Sequence, residues 1–327
     1  MNNPPTLMIV VPCYNEQAAL PITAEKLLSL INDLLLRELI NAESGIVLVD
    51  DGSKDNTWNV IRDLNSKHDA IVGVKLSRNC GHQNALLAGL QTAYPISDCC
   101  ISIDADLQDD IFVIEEMVNK FSEEGCEIVY GVRKERNSDS WFKRTTALGF
   151  YKVMRWLGVN SVYNHADFRL MGHRALEELM NYRERNLFLR GIVPLIGFKS
   201  DNVYYNRSQR IAGESKYPLG KMFNFAVDGI TSFSVKPVRM VFSLGLFFVL
   251  IAFFILVYVI VTLCLGKAVS GWASLILSLW FIGGCVLIGL GVVGEYIGKI
   301  YIEVKDRPRY VVEQILGLSQ NDDQHEK

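Results

Sequence analysis

Two long runs without a charged residue constrain the fold of this chain most. Met240–Gly266 and Ala268–Gly294 each span 27 residues, and only Lys267 separates them. About 20 apolar residues suffice to cross the hydrocarbon core of a bilayer. A buried core helix is the alternative, but 27 residues without a charge make a poor core helix. The two runs therefore predict a pair of transmembrane helices joined by a short turn.

The charges around these runs predict their orientation. Basic residues lie at the outer ends of both runs: Lys236, Arg239, Lys299, Lys305, Arg307 and Arg309. Because short loops rich in Lys and Arg stay on the cytoplasmic side, both ends of the pair are expected there. The first five residues contain no basic region of the kind that opens a signal peptide, so the first 235 or so residues are expected in the cytoplasm as well.

The chain before residue 133 alternates apolar runs with segments of helical periodicity. A parallel, doubly wound α/β sheet is the arrangement that such alternation predicts. The runs are short and mostly apolar, and Leu7–Val11 is continuously apolar, as in a strand buried on both faces. They are Leu7–Val11, Ile46–Val49, Ile71–Leu76, Cys99–Ile103 and Glu127–Val132, and the clearest helical segment is Gln17–Leu36.

Several classes of protein are excluded by what these segments lack. A Rossmann dehydrogenase needs a glycine-rich turn after its first strand, but Pro12–Glu16 contains no glycine. No phosphate-binding G-x-x-x-x-G-K-[ST] loop is present either. The formal charge of −3 argues against a nucleic-acid partner, which usually binds a basic domain. The seven cysteines form no C-x-x-C pair and are expected to be small buried residues.

An acidic turn follows the fourth predicted strand. Asp104 and Asp106 stand where this strand ends, and ligands of open α/β sheets bind at the carboxyl ends of strands. Two such carboxylates can bind one divalent cation, with substrate phosphates filling its other positions. Taken alone, the pattern favours an Asp-rich helix cap. Polar turns also follow the first two strands, at Asn15-Glu16 and Asp50-Asp51, and together the three turns indicate a site for a nucleotide-sugar.

Two later segments combine aromatic and basic residues. Trp141–Leu157 and Lys216–Phe233 carry both kinds of side chain, and the second leads directly into the first apolar run. Such helices can lie on an anionic bilayer surface. For Trp141–Leu157 an ordinary amphipathic helix packed on the sheet fits equally well. Lys216–Phe233 is expected to run along the interface.

Five motifs in order resemble those of family 2 glycosyltransferases that act on polyprenyl phosphates. Within the family the likeness is to bactoprenol glucosyltransferases and dolichol-phosphate mannose synthases. It extends over nearly the whole chain and includes the two apolar runs. The motifs are Val11-Pro-Cys-Tyr-Asn-Glu16, Val49-Asp-Asp-Gly-Ser-Lys-Asp55, Asp104-Ala-Asp-Leu-Gln108, Asp167-Phe-Arg169 and Gly213-Glu-Ser-Lys-Tyr217.

The resemblance implies an α/β fold, namely a GT-A catalytic domain with a Rossmann-like, mostly parallel sheet, followed by a C-terminal two-helix transmembrane hairpin. Its expected limits are residues 1–213 for the catalytic domain, 214–238 for interfacial amphipathic helices, 239–297 for the two spans and 298–327 for a cytoplasmic tail. The implied location is the bacterial inner membrane, with a multi-pass topology and both termini in the cytoplasm.

The resemblance also implies roles for individual residues. The nucleotide-sugar would be bound by Pro12, Tyr14, Asn15, Glu16, Asp50, Asp51, Asp104, Arg210 and Lys216. A Mg²⁺ or Mn²⁺ ion would be held by Asp104, Asp106 and Gln108. The acceptor phosphate would be held by Arg133 and Arg144. The catalytic residues would be Asp106 and Asp167, the latter positioning acceptor or sugar hydroxyls or acting as base. A structural pairing of Asp167 with Arg169 is the alternative.

The implied reaction is a single inverting transfer of one sugar from a UDP-sugar to undecaprenyl phosphate at the cytoplasmic face, for modification of a cell-envelope glycan such as O-antigen. Glucose is the first expectation for the sugar and N-acetylglucosamine the second. A GDP-mannose-dependent mannose synthase is the main alternative. A processive polysaccharide synthase is disfavoured because no Gln-x-x-Arg-Trp motif occurs, and a non-catalytic adaptor would not need the acidic turns. A homotetramer, a lipid-sugar flippase and a downstream glycosyltransferase are the further partners expected.

Overall fold

The computed structural model describes residues 3–134, 165–185, 187–206, 236–265 and 271–318. Two compact units make up the chain. The first comprises Met1–Thr145, Ser161–Lys216 and Arg307–Lys327, and the second Thr146–Asn160 and Tyr217–Asp306. Both predicted interfacial segments, and with them Arg144, Arg210 and Lys216, lie outside the described residues.

One eight-stranded sheet forms the centre of the first unit, as far as that unit is described. Its central strands β4, β1, β2 and β3 are parallel, as the alternating sequence predicts. The five strands predicted from the sequence are all present, each within two residues of its predicted ends. The strands run in the order β7-β5-β6-β4-β1-β2-β3-β8. Their bounds are β1 Leu7–Cys13, β2 Gly45–Asp50, β3 Ile71–Leu76, β4 Cys99–Ser102, β5 Ile128–Arg133, β6 His165–Gly172, β7 Ser200–Tyr205 and β8 Val312–Leu316.

Helices cover both faces of the central strands, so every residue of β1 and β2 is buried. In the helix Leu20–Leu36, apolar residues recur every three or four positions and pack into the core. Gly89, in the helix after β3, lies so close to β1 that an added Cβ would stand 2.3 Å from Val10. The α-helices within the described residues of this unit are α1 Leu20–Leu36, α2 Thr57–Lys67, α3 His82–Ala93, α4 Ile114–Ser122, α5 His173–Asn181 and the single turn α6 Leu189–Ile192.

Two strands break the parallel pattern, and neither was predicted from the sequence. Strand β6 runs antiparallel between β4 and β5, which brings Asp167 beside the acidic turn after β4. Strand β8 belongs to the segment 298–327, for which only a tail was expected. It pairs antiparallel with β3, and Lys75 forms a 2.8 Å ion pair with Glu313 across the two strands. The sheet is therefore completed by residues that follow both apolar runs.

Two long helices form the described part of the second unit. They are α7 Lys236–Cys264 and α8 Trp272–Lys305, with 29 and 34 residues. The rings of Phe248 and Phe281 meet edge to face, with centroids 5.5 Å apart. Among the described residues, one segment, Phe281–Lys305, is long and apolar enough for a membrane span. It begins 13 residues later than the predicted second run, Ala268–Gly294.

Candidate active site

The turns after β1 and β2 are joined by hydrogen bonds at the carboxyl edge of the sheet. The backbone N–H of Asn15 donates to Ser53 Oγ at 2.9 Å, and Asn15 Oδ1 accepts from the N–H of Lys54 at 2.8 Å. Asn15 adopts a left-handed backbone conformation with φ 57°, which Asn tolerates better than most residues. The N–H of Glu16 donates to Thr57 Oγ1 at 2.9 Å. These contacts fix the two turns as one polar rim.

Asp50 and Asp51 are both buried at this rim. Asp50 Oδ1 accepts the N–H of Ser53 at 3.1 Å. Asp51 accepts the N–H of Cys80 at 2.7 Å and that of Gly81 at 3.0 Å. Burial raises the pKa of Asp51, although these two hydrogen bonds oppose the rise. Asp51 therefore fixes the turn between β3 and α3, in addition to any contact it makes with a nucleotide.

The acidic turn after β4 is held in a strained conformation. Leu107 has a φ of 44°, which is rare for a residue with a branched, bulky side chain. The hydroxyl of Thr23 in α1 donates to the carbonyl of Ala105 at 2.7 Å, and the N–H of Gln108 donates to Asp106 Oδ1 at 3.3 Å. Such strain persists only where surrounding contacts enforce it, and it is concentrated at functional sites.

Negative charge accumulates around Asp104. Burial is the largest cause of the raised pKa of Asp104. The nearby carboxylates of Asp167, Asp109 and Asp106 raise it further, whereas His82 lowers it. No group of three or more His, Cys, Asp or Glu side chains that could hold a metal occurs among the described residues. Two carboxylates nevertheless fit Mg²⁺ or Mn²⁺ ions whose remaining ligands are substrate phosphates and water.

Asp167 lies between two arginines. Its Oδ1 accepts from Arg169 Nη2 at 3.0 Å and from Arg190 Nε at 3.2 Å, and its Oδ2 accepts from Arg190 Nη2 at 3.1 Å. Burial alone would raise the pKa of Asp167, but His82 and the two guanidinium groups hold it well below its usual range. The pairing with Arg169, left open by the sequence, is thus present together with a second arginine.

His82 is the first residue of α3 and stands between the two acidic groups. Its Nε2 is 3.5 Å from Asp167 Oδ2 and 3.6 Å from Asp104 Oδ1. Partial burial lowers the pKa of His82, but Asp167 and Asp104 outweigh that effect and the pKa is raised. The neighbouring Gln83 accepts the N–H of Leu189 through Oε1 at 2.9 Å. The start of α3 therefore contacts both carboxylates and the segment that carries Arg190.

Arg133 at the end of β5 belongs to a buried polar cluster. Its Nη2 lies 3.1 Å from Asp109 Oδ1, and the hydroxyl of Tyr205 donates to the same oxygen at 2.5 Å. Burial lowers the pKa of Arg190, but Asp167 outweighs that effect and the pKa is raised. Asp104 also raises this pKa, and the nearby charge of Arg133 lowers it. Two arginines thus lie near the acidic turn, where their charges can meet a phosphate.

The structure gathers most of the predicted site residues that it describes at one edge of the sheet. Pro12 lies within β1, Tyr14 is partly exposed beside it, and the other members surround the turns already described. Five further residues at this site were not predicted from the sequence: His82, Gln83, Arg190, Asp109 and Tyr205. His82 could have been predicted, because it ends the glycine-containing turn that follows the third strand, and turns after the other strands were already assigned to the site. Arg190 lies in no recognisable motif, and only the fold brings it to the site.

A mostly parallel sheet of this strand order, with acidic turns after β1, β2 and β4 at its carboxyl edge, is the GT-A, Rossmann-like fold of a glycosyltransferase. The chain belongs to glycosyl transferase family 2, whose sequence model matches residues 8–180.

Several known proteins are similar to this chain. The uncharacterized glycosyltransferase YkoT of Bacillus subtilis (strain 168) is 54% identical over 309 residues, which are 94% of this chain and 91% of YkoT. The SfII prophage-derived bactoprenol glucosyl transferase of Shigella flexneri is 40% identical over 310 residues, 94% of this chain and 97% of that protein. Glucosyl-3-phosphoglycerate synthase from Mycobacterium tuberculosis, solved with Mn²⁺, UDP-glucose and phosphoglyceric acid, matches 69% of this chain and 78% of its own at 19% identity and a TM-score of 0.43.

Proposed function

We propose that this enzyme transfers one sugar from a UDP-sugar to a polyprenyl phosphate, and glucose is the first candidate for that sugar. The observation that carries the proposal is the pairing of Asp167 with Arg169 and Arg190. The bactoprenol glucosyl transferase of Shigella flexneri, similar over 94% of this chain, supports the choice of lipid and sugar. N-Acetylglucosamine is the second candidate sugar, and GDP-mannose the alternative donor.

A hydroxyl acceptor needs a base whose pKa lies near the working pH. The carboxylate of Asp167 faces the acidic turn, but two guanidinium groups occupy it and hold its pKa well below the usual range. Such a carboxylate is a weak proton acceptor. A phosphate acceptor needs no base, because its oxygen is already anionic. Asp167 is then a residue that positions Arg190 for the acceptor, rather than a base.

The reaction is a single displacement. An oxygen of the lipid phosphate forms a bond with the anomeric carbon, while the bond from that carbon to the diphosphate oxygen breaks. The bonding electron pair leaves with UDP, so the configuration at the anomeric carbon inverts and the enzyme forms no covalent intermediate. Arg133 and Arg190 are suited to orient the attacking phosphate, because guanidinium groups offer paired donors that match phosphate oxygens. Arg144 is predicted to assist them, and Arg210 and Lys216 to bind the donor.

The donor site is formed by the turns after β1, β2 and β4. The rim formed by Asn15, Glu16 and Asp50 is suited to bind the nucleoside. Asp104 and Asp106, with Gln108, would hold a Mg²⁺ or Mn²⁺ ion, and the accumulated negative charge at Asp104 supports this assignment. A metal bound there would offset the charge that develops on the departing diphosphate.

The pairing of β8 with β3 supports a membrane hairpin. The chain leaves the first unit at Lys216 and returns to it at Arg307, and β8 then joins the same sheet as β1. A chain that begins and ends on one side of a bilayer crosses it an even number of times. If α8 is one transmembrane helix, we propose α7 as the second. Because UDP-sugars are cytoplasmic, a UDP-sugar donor implies that the sheet and both termini lie on that side of the bacterial inner membrane. A homotetramer, a flippase and a downstream glycosyltransferase are further proposals.

The test uses the full-length enzyme reconstituted with undecaprenyl phosphate. UDP-glucose, UDP-N-acetylglucosamine and GDP-mannose are supplied separately, and lipid-linked sugar and released nucleotide are measured. The proposal predicts one sugar per lipid and UDP release that requires the lipid phosphate. Asp106→Asn is the matched inactive control. A longer glycan product would favour a processive synthase, and the absence of transfer from all three donors would contradict the proposal.

A further inference from the structure

The turn between β3 and α3 is held on two sides by contacts that the proposed reaction does not explain. On one side, Asp51 accepts the N–H groups of Cys80 and Gly81 at 2.7 and 3.0 Å. On the other, Gln83 accepts the N–H of Leu189, the neighbour of Arg190 in the chain. Gly81 has a φ of +90°, a conformation that residues with a side chain rarely adopt. These contacts fix the position of His82.

His82 stands between two carboxylates that the proposed function assigns to different substrates. Asp104 belongs to the donor side and Asp167 to the acceptor side. Nε2 of His82 is 3.6 Å from the first and 3.5 Å from the second. Two carboxylates near one imidazole nitrogen repel each other, and the N–H dipole or positive charge of the imidazole between them offsets that repulsion, although both distances exceed that of a hydrogen bond. The imidazole is 43% exposed, so it faces the site rather than the core.

We propose that His82 is a positioning residue, which keeps the Asp167–Arg190 pair of the acceptor side in place relative to Asp104 of the donor side. The inference rests on the proposed function. A proton on Nε2 is present in one tautomer of the neutral imidazole and in the imidazolium alike, so the role requires no proton transfer. His82 acts on the rate through the two carboxylates, because a displacement of about 1 Å between reacting groups costs on the order of 100-fold in rate.

The experiment compares three substitutions of His82 in the reconstituted full-length enzyme. His82→Ala removes the donor and is expected to lower kcat about 30-fold, while KM for the UDP-sugar and for the lipid change less than about threefold. His82→Gln places an amide nitrogen near the position of Nε2. Its kcat is expected to be at least about tenfold higher than that of His82→Ala. His82→Asn places its nitrogen nearer the position of Nδ1 and is expected to recover little.

Two controls separate positioning from binding and from folding. His68→Ala removes an exposed histidine at the end of α2 and is expected to leave kcat unchanged. Calorimetry with UDP and Mn²⁺ is expected to give His82→Ala a dissociation constant within about threefold of wild type. A much weaker UDP complex would make His82 a ligand of the donor and overturn the positioning role.

The kinetic outcomes distinguish the inference from the function on which it rests. An active wild type with an unaffected His82→Ala overturns the positioning role alone. The same holds if His82→Gln is as slow as His82→Ala, because the missing donor is then not the cause. A wild-type enzyme that makes no lipid-linked sugar refutes the proposed function. A loss in kcat that glutamine restores and asparagine does not restore supports the inference.

Discussion

Replacing Asp167 by asparagine tests the charge pairing from which the acceptor was inferred. The substitution keeps the size and one acceptor oxygen but removes the negative charge. Arg169 is only 1% exposed, so its guanidinium would remain buried without a countercharge. Removing one partner of a buried ion pair typically costs about 3–5 kcal/mol. Because asparagine keeps one hydrogen bond and Arg190 is partly exposed, we expect about 3 kcal/mol, near the lower limit.

The assay is thermal unfolding of the full-length protein in detergent, followed by tryptophan fluorescence. A loss of about 3 kcal/mol corresponds to a fall in Tm of roughly 6–12 °C for a unit of this size. The matched control is Asp201→Asn, because Asp201 is partly exposed and pairs with Lys120 at the surface. That change is expected to cost less than about 1 kcal/mol.

A second substitution isolates the buried charge. Adding Arg169→Met to Asp167→Asn removes the uncompensated guanidinium and is expected to restore at least about 1 kcal/mol, since an apolar side chain of similar length can replace a buried ion pair at little cost. A Tm for Asp167→Asn no lower than that of Asp201→Asn would refute the reasoning. So would a double variant less stable than the single one.

Three further predictions concern pH, the metal and topology. Because the folded pKa of Asp167 lies well below its unfolded value of about 3.9, its stabilisation is complete at neutral pH and is lost as the pH falls through the folded pKa. The difference in Tm between wild type and Asp167→Asn should therefore narrow in acid, and a difference that widens would contradict the pairing. Asp106→Asn, and EDTA with the wild type, are expected to lower transfer at least about 100-fold without changing Tm, whereas full activity in EDTA would exclude the metal. Reporters fused after Lys327 and inserted near Val269 are expected to lie on opposite sides of the membrane, and a shared side would contradict the hairpin.

The central part of the fold was predictable because its signals are local. Short apolar runs such as Leu7–Val11 and Ile46–Val49 mark buried parallel strands, and polar turns at their ends mark the candidate site. Strand β6 was missed because it follows a stretch of sequence in which the alternation of apolar runs and helical periodicity stops. Strand β8 was missed because its pairing depends on a contact across most of the chain. Its residues are exposed, so they lack the apolar pattern of a buried strand.

The site was predictable where a residue stands at a strand end and hidden where tertiary contacts bring it in. Asp104 and Asp106 follow β4 directly, so the sequence indicated them. Arg190 reaches Asp167 through the single turn α6, and no periodicity or motif marks such a contact. The roles of all these residues remain predictions, and those of Arg144, Arg210 and Lys216 rest on the family resemblance alone.

The position of β8 has a consequence for synthesis of the chain. Lys75 and Glu313 pair across β3 and β8 but are 238 residues apart in sequence. At roughly 5–20 residues per second, a ribosome needs on the order of 10–50 s to make the intervening chain. During that time the edge of β3 has unpaired backbone groups, and exposed edges of this kind favour aggregation. A truncation made before Arg307 to obtain a soluble catalytic domain would make that exposure permanent. A fusion that keeps residues 307–318 and replaces the two long helices by a flexible linker would retain the closing strand.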